Sequence, residues 1–235
     1  MKRLRFPAEV CYLLSILVLS FAVAMVAAAG FGVSMIVAPA YTLSLKVPFL
    51  TFGQSEYVVQ AVLFLVFCAL MGRVKLVYSS SFLTCLLYGA VLDLWRLVIP
   101  LLNPAVTEPG SMTMAVRMVL FVCGMLLTSF SVALFYRTYL YPQVYDFFVK
   151  GVSARFSLNR TRFKIAFDVG SLAVAAALSL LFFRRFNGIG VGTLIMTALN
   201  GLLIGAFGKA IDRCFVFEPL FPSFAARFAI EAKNA

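Results

Sequence analysis

Nine acidic side chains, no histidine and five cysteines limit the chemistry open to this 235-residue chain. Without histidine there is no imidazole base and no histidine-ligated metal. Cys11, Cys68, Cys85, Cys123 and Cys214 stand singly in apolar surroundings, with neither a CxxC nor any metal-like spacing. They read as inert thiols, and neither a metal nor a cofactor is expected. Ser79-Ser80-Ser81 near Lys75 is the only pairing a serine–lysine hydrolase could use. Nothing else completes such a site, so the chain is not expected to be an enzyme. What remains is a small set of charged and polar residues embedded in apolar runs, where such groups are expensive and mark function by default.

Asp93 leads that set. It follows 17 apolar or small polar residues after Lys75, roughly 25 Å along a helix rising ~1.5 Å per residue. Arg96 shares its helical face three residues on, and Arg117 opens the next apolar run on the same side. The three could form an ion-pair gate or ligand anchor; Asp93 and Arg96 could equally be a structural pair beside the belt residue Trp95. Glu56 and Asp168 open two other apolar runs. They read either as acids complementing helix N-termini, with Gln54 and Ser55 assisting at the first, or as sites for a coupling cation or proton. Gln60, one turn beyond Glu56, and Asn200 need partners across helices or a ligand. Gly188, Gly190 and Gly192, followed by Thr193, could present amide groups to an anion beside Arg184 and Arg185. The same turn also reads as a tight connection, continued by the small-residue face Gly201-x-x-x-Gly205. It is neither a Walker loop nor a dinucleotide fingerprint, since no Lys-Ser/Thr and no strand–helix–strand context accompanies it.

The elements that must position these residues are helices in lipid. Hydrophobic residues make up 63% of the chain and charged residues 12%, against about half and a quarter in soluble domains. No charge falls between Glu9 and Lys46, Glu56 and Arg73, Arg117 and Arg137, or Arg185 and Lys209. A crossing takes roughly 20 apolar residues, and the pattern predicts spanning helices over 9–30, 54–72, 76–96, 115–136, 165–183 and 190–211. Lys2, Arg3 and Arg5 before Val10–Ala29 mimic a signal peptide, but the run exceeds the usual ~7–15-residue core, so a retained first helix is expected. The run from Val33 to Leu45, with Pro39 inside, is too short to span, and 144–156 is amphipathic. Both are expected at the interface, re-entrant, or covering a cavity. The net charge of +11 flanks the apolar runs. It therefore speaks for topology and anionic head groups rather than nucleic acid, and it puts both termini in the cytoplasm.

An internal repeat emerges at an offset of about 112 residues: Glu56 maps to Asp168, Arg73 to Arg185, Ser81 to Thr193, Leu87 to Leu199 and Gly89 to Gly201. The expected fold is an all-α membrane protein, a single integral membrane domain over 1–235. It comprises two inverted three-helix repeats, about 8–100 and 113–215, with a short cytoplasmic tail over 216–235. Such repeats recur in secondary transporters, which bind near the midplane between halves.

Gly30-Phe-Gly-Val-Ser34, Leu50-Thr-Phe-Gly-Gln54, Tyr88-Gly-Ala-Val-Leu-Asp93 and, most specifically, Gly188-Ile-Gly-Val-Gly-Thr193 resemble the YczE/YitT-like bacterial integral membrane proteins. The resemblance implies a multi-pass protein of the bacterial cytoplasmic membrane, with transport suspected, and supplies no substrate or catalytic residues. The expected partners are the lipid bilayer, a small solute or ion, and a second copy or a partner membrane subunit. A permease with Glu56, Asp93, Arg117, Asp168 and Asn200 converging on one cavity is the leading expectation. The alternatives are the substrate-binding subunit of a multi-component importer, docking through small residues of the first helix (Ala22, Ala24, Ala27, Ala28, Gly30, Gly32), and a scaffold or assembly factor.

Overall fold

A computed structural model describes residues 4–72, 79–223 and 225–226. The chain runs β1 (Leu4–Pro7), α1 (Ala8–Ala29), α2 (Ala38–Lys46), α3 (Phe52–Met71), α4 (Ser79–Val98), α5 (Met114–Phe135), α6 (Val144–Arg155), α7 (Arg160–Phe183), α8 (Val191–Cys214) and β2 (Phe215–Glu218). α1, α3, α4, α5, α7 and α8 are each long and apolar enough to cross a membrane, and the protein is an all-α, multi-pass membrane protein. Its only strands among the described residues are β1 and β2, which pair in parallel and bring the start of α1 and the end of α8 to one end of the bundle.

Local chemistry sets most of the boundaries. Thr51 and Gln54 form a reciprocal capping box at the start of α3, and Thr113 and Asn159 cap α5 and α7. Gly30 and Gly72 end α1 and α3 in the left-handed conformation. Two sequence expectations need correction. α7 starts at Arg160, not 165, because Lys164 finds acidic partners instead of marking a solvated loop. Residues 215–218 form an ordered strand on the N-terminal segment rather than the start of a tail. Arg73, Lys75 and the expected start of the third helix at 76 lie outside the described residues.

α1 and α5 form the centre. Their backbones approach so closely at Gly124 that an added Cβ would lie 2.7 Å from Val26 Cγ2 and 2.9 Å from the Ala22 carbonyl. Ala22, Ala24, Ala27 and Ala28 are buried here. These four alanines of the small-residue face expected to dock a partner are covered inside the fold, while Gly30 of the same face is exposed. Around this pair, α4 packs on α1 and α8 on α5; α2 bridges α3 and α7, and α6 bridges the same two helices. α3 and α4 pack along each other, touching at Gly53 and Gly89. α7 and α8 have no comparable packing, and Gly201 and Gly205 meet nothing within 4 Å. The expected Gly201-x-x-x-Gly205 contact does not form.

Candidate functional site

The gap between α7 and α8 is part of a cavity of about 450 Å³, reached also by α5 and α6. α6 is fixed there by its aromatic face. Phe147 and Phe148 pack on Phe67 of α3, which leaves Asp146, in the first turn of α6, turned to the cavity. Lys164 and Asp168 lie one turn apart on α7. Lys164 Nζ is 3.2 Å from Asp168 Oδ1 and 3.4 Å from Asp146 Oδ1, so one cation serves two carboxylates, all three half-buried. Tyr88, Gln143, Tyr145 and Asn200 line the same space. Asn200 is oriented by Ser129, whose hydroxyl donates to its Oδ1 at 3.2 Å.

A second cavity of about 610 Å³ shares Tyr136, Asp146 and Lys164 with the first and adds Lys150 and Arg160. The Asp146–Lys164 pair therefore stands in the wall between the two. The Tyr136 phenol, itself half exposed, is pushed above its usual range chiefly by the Asp146 carboxylate. The Lys150 ammonium is lowered, first by burial and then by Arg160.

Glu56 sits one layer behind the cavity wall. It does not cap α3: it lies a turn inside the helix and is 0% exposed. Its Oε2 accepts hydrogen bonds from Gln60 Nε2 at 3.0 Å and the Tyr145 hydroxyl at 2.9 Å. Gln60 Nε2 also reaches Gln143 Oε1 at 3.3 Å, and its Oε1 accepts from the Val144 amide at 3.1 Å. Asp168, two turns into α7, does not cap that helix either; Asn159 does.

Asp168 and Asn200 thus reach the cavity, and Glu56 and Gln60 join it through Tyr145 and Gln143. Asp93, Arg96 and Arg117 do not. Asp93 accepts from the Gly53 amide at 2.9 Å and from the Thr51 hydroxyl, clamping the N-terminus of α3 to α4. Arg96 donates to Asn103 at 3.1 Å and lies over the Phe52 ring. No Asp93–Arg96 ion pair forms among the described residues, because each acquires a partner from another segment. Arg117 Nε donates to the Ala29 carbonyl at 2.8 Å and Nη2 to that of Gly30 at 3.3 Å, covering the electronegative end of α1. The Gly188–Thr193 turn spends its amides on protein. Gly192 donates to the Phe31 carbonyl at 2.9 Å, Gly190 to Thr193 Oγ1 at 3.3 Å and Thr193 to the Gly190 carbonyl at 3.0 Å. It is a packing junction with Phe31–Val33 rather than an open anion cradle.

The Asp93 clamp is testable. Replacing a helix cap with alanine costs about 0.5–2 kcal/mol. Here two donors are orphaned, one of them a helix N-terminal amide. Asp93→Ala should fall in the upper part of that range, and Asp93→Asn, which keeps an acceptor, below it. Thermal melts of the purified variants measure both.

Lys164, Asp146, Tyr145 and Gln143 went unrecognised in the sequence as site residues. The Lys164-x-x-x-Asp168 spacing, an i,i+4 pair on an apolar helix, was the available signal. Tyr145 and Gln143 had none, since their partners lie 89 and 83 residues away. The chain matches no curated protein and no solved structure. A family model spans residues 6–209, and the chain belongs to the family it describes, a family of unknown function (DUF6198).

Proposed function

We propose that this protein is a small-solute or ion permease of the bacterial cytoplasmic membrane, with both termini cytoplasmic and its polar site in the cavity between two inverted repeats. The observation that carries this reading is the Asp146–Lys164–Asp168 cluster facing a 450 Å³ cavity among helices of membrane-spanning length. Charged groups at such a place are costly unless they serve a polar pathway. The helix packing supports the repeats. α1 and α5 pair, α4 and α8 flank them equivalently, and α2 and α6 each bridge α3 and α7, as a pseudo-two-fold would arrange them. The likeness to YczE/YitT-like proteins belongs to the same proposal.

The two units are also in unlike states: α3 and α4 are closed at Gly53 and Gly89, while α7 and α8 are apart. In an inverted pair, exchanging these states moves the opening from one membrane face to the other.

A thermal-stability screen against small metabolites, anions and cations tests the reading. A ligand bound only by the folded state stabilises it by RT ln(1 + [L]/Kd), about 2.7 kcal/mol at a hundredfold excess over Kd. We expect a specific shift that Asp168→Asn removes, and uptake of that ligand into proteoliposomes that falls in the same variant while its fold persists. A flat screen, or uptake unaltered by Asp168→Asn, would reject the permease and favour a scaffold or an importer subunit.

A further inference from the structure

Glu56 is the most completely buried acid of the described residues, and its surroundings do not balance its charge. From its own helix it meets Gln60. α4 presents Cys85 and Tyr88, and α6 presents Tyr145. α2, the remaining neighbour of α3, has one charged residue, Lys46, which lies over the rings of Phe182 and Phe183 instead. No cation among the described residues pairs with Glu56. Its Oε1 is buried without a hydrogen-bond partner among them.

The geometry fixes what can reach Oε2. The Val144 amide can only donate, so the Gln60 oxygen must face it and the Gln60 NH₂ must face Glu56. Tyr145 adds a hydroxyl donor. Both groups donate to that oxygen, and neither brings a charge to balance it. No cluster of three or more acidic or thiol ligands exists among the described residues. A carboxyl that lacks a cation, holds two neutral donors on one oxygen and leaves the other bare has room for one positive charge, a proton.

We infer that Glu56 is a proton-exchanging site, linked to the cavity through Tyr145, and that it supplies the coupling ion of the permease. The second half of this statement rests on the permease reading; the first does not. Proton entry conserves the phenol. Cavity hydronium gives its proton to the Tyr145 oxygen as the Tyr145 hydroxyl proton passes to Glu56, leaving water, neutral tyrosine and neutral acid. Burial above all holds the Tyr145 phenol well above its usual range, so tyrosine acts as a relay and does not store the charge.

Infrared difference spectroscopy of the protein in lipid nanodiscs, between neutral and alkaline buffer, tests this without a substrate. The expected result is a carboxylic-acid carbonyl band that moves in deuterium oxide, gives way to a carboxylate band at alkaline pH, and is absent from Glu56→Gln. Tyr145→Phe should keep the band, shift it, and slow its response to a pH jump by roughly a hundredfold, the lower end of what positioned proton transfer contributes. If Glu56→Gln fails to fold, δ-¹³C-glutamate labelling and the Tyr145→Phe shift make the assignment instead. A spectrum without a glutamic-acid band at any pH, or a band that neither titrates nor exchanges, would overturn the inference. Failure of the Asp168→Asn uptake test alone would leave Glu56 standing as a proton site and remove only its use in transport.

Discussion

Gly32→Val should abolish recovery of correctly folded protein. Gly32 has φ +100°, a backbone region that side chains rarely adopt, and a Cβ there would lie 2.5 Å from the Gly190 nitrogen and 2.5 Å from Thr193 Oγ1. The obstacle is backbone and a hydroxyl fixed by its bond to Gly190, so neither can turn aside. Overpacking costs about 1–3 kcal/mol and a strained backbone position a further ~1–3 kcal/mol, a substantial part of the ~5–15 kcal/mol by which proteins are stable. The same residues join the end of α1 to the start of α8 through the Val33–Gly188 and Gly192–Phe31 bonds, so the damage reaches the centre of the bundle. Gly72→Ala is the control. Gly72 also has positive φ (+67°), but nothing lies within 4 Å of its added Cβ, so only the backbone penalty remains. Size-exclusion profiles and melting temperatures in detergent should separate the two. Equal behaviour would show that the glycine junction is not tightly packed.

Lys164→Met should produce the second large effect, on stability and on the site together. It leaves Asp146 and Asp168 facing one cavity with no cation between them. Removing one member of a fully buried pair costs about 3–5 kcal/mol. These side chains are a quarter to a third exposed, and the expected loss is correspondingly smaller, about 1–3 kcal/mol. Adding Asp146→Asn and Asp168→Asn to Lys164→Met should recover most of the melting temperature, because the penalty is unpaired charge rather than lost packing. A triple variant no more stable than Lys164→Met would place the lysine's contribution in its aliphatic stem. Ligand-induced stabilisation should stay absent in both, since the recovered fold lacks the charged site.

The sequence disclosed the spans because lipid imposes one rule on every helix: about 20 predominantly apolar residues. Boundaries came within two or three residues wherever a charge marked the lipid edge, and missed by five at Arg160, where Lys164 sits inside the helix between two acids. Periodicity could not reveal long-range partners. Arg117 is indistinguishable in sequence from a gate residue, yet its guanidinium ends on carbonyls 87 and 88 residues earlier. Asp93 looked paired with Arg96 by spacing alone, and the Thr51 and Gly53 donors that claim it arrive from another helix. The part of the site that was legible, Asp168 with Asn200 and Glu56 with Gln60, consists of residues whose polarity conflicts with the run around them. Their meeting place became visible only when α6 carried Asp146 and Tyr145 between α3 and α7.

The strand pair that joins the first and last helices at one end of the bundle bears on how the protein is made. The Glu9 carboxylate receives the backbone amides of Leu220 and Phe221 and the Tyr139 hydroxyl, and Glu9 and Leu220 are 211 residues apart. During synthesis, β1 lacks its strand partner and Glu9 lacks the Leu220 and Phe221 amides until α8 has left the ribosome. α1, whose alanine face is meant for α5, must wait in the bilayer through the insertion of three intervening segments. Assembly is therefore a late event that ratifies the whole chain at once. A nascent chain arrested before residue 114, which lacks α5, should leave its first helix unprotected and open to membrane quality-control proteolysis.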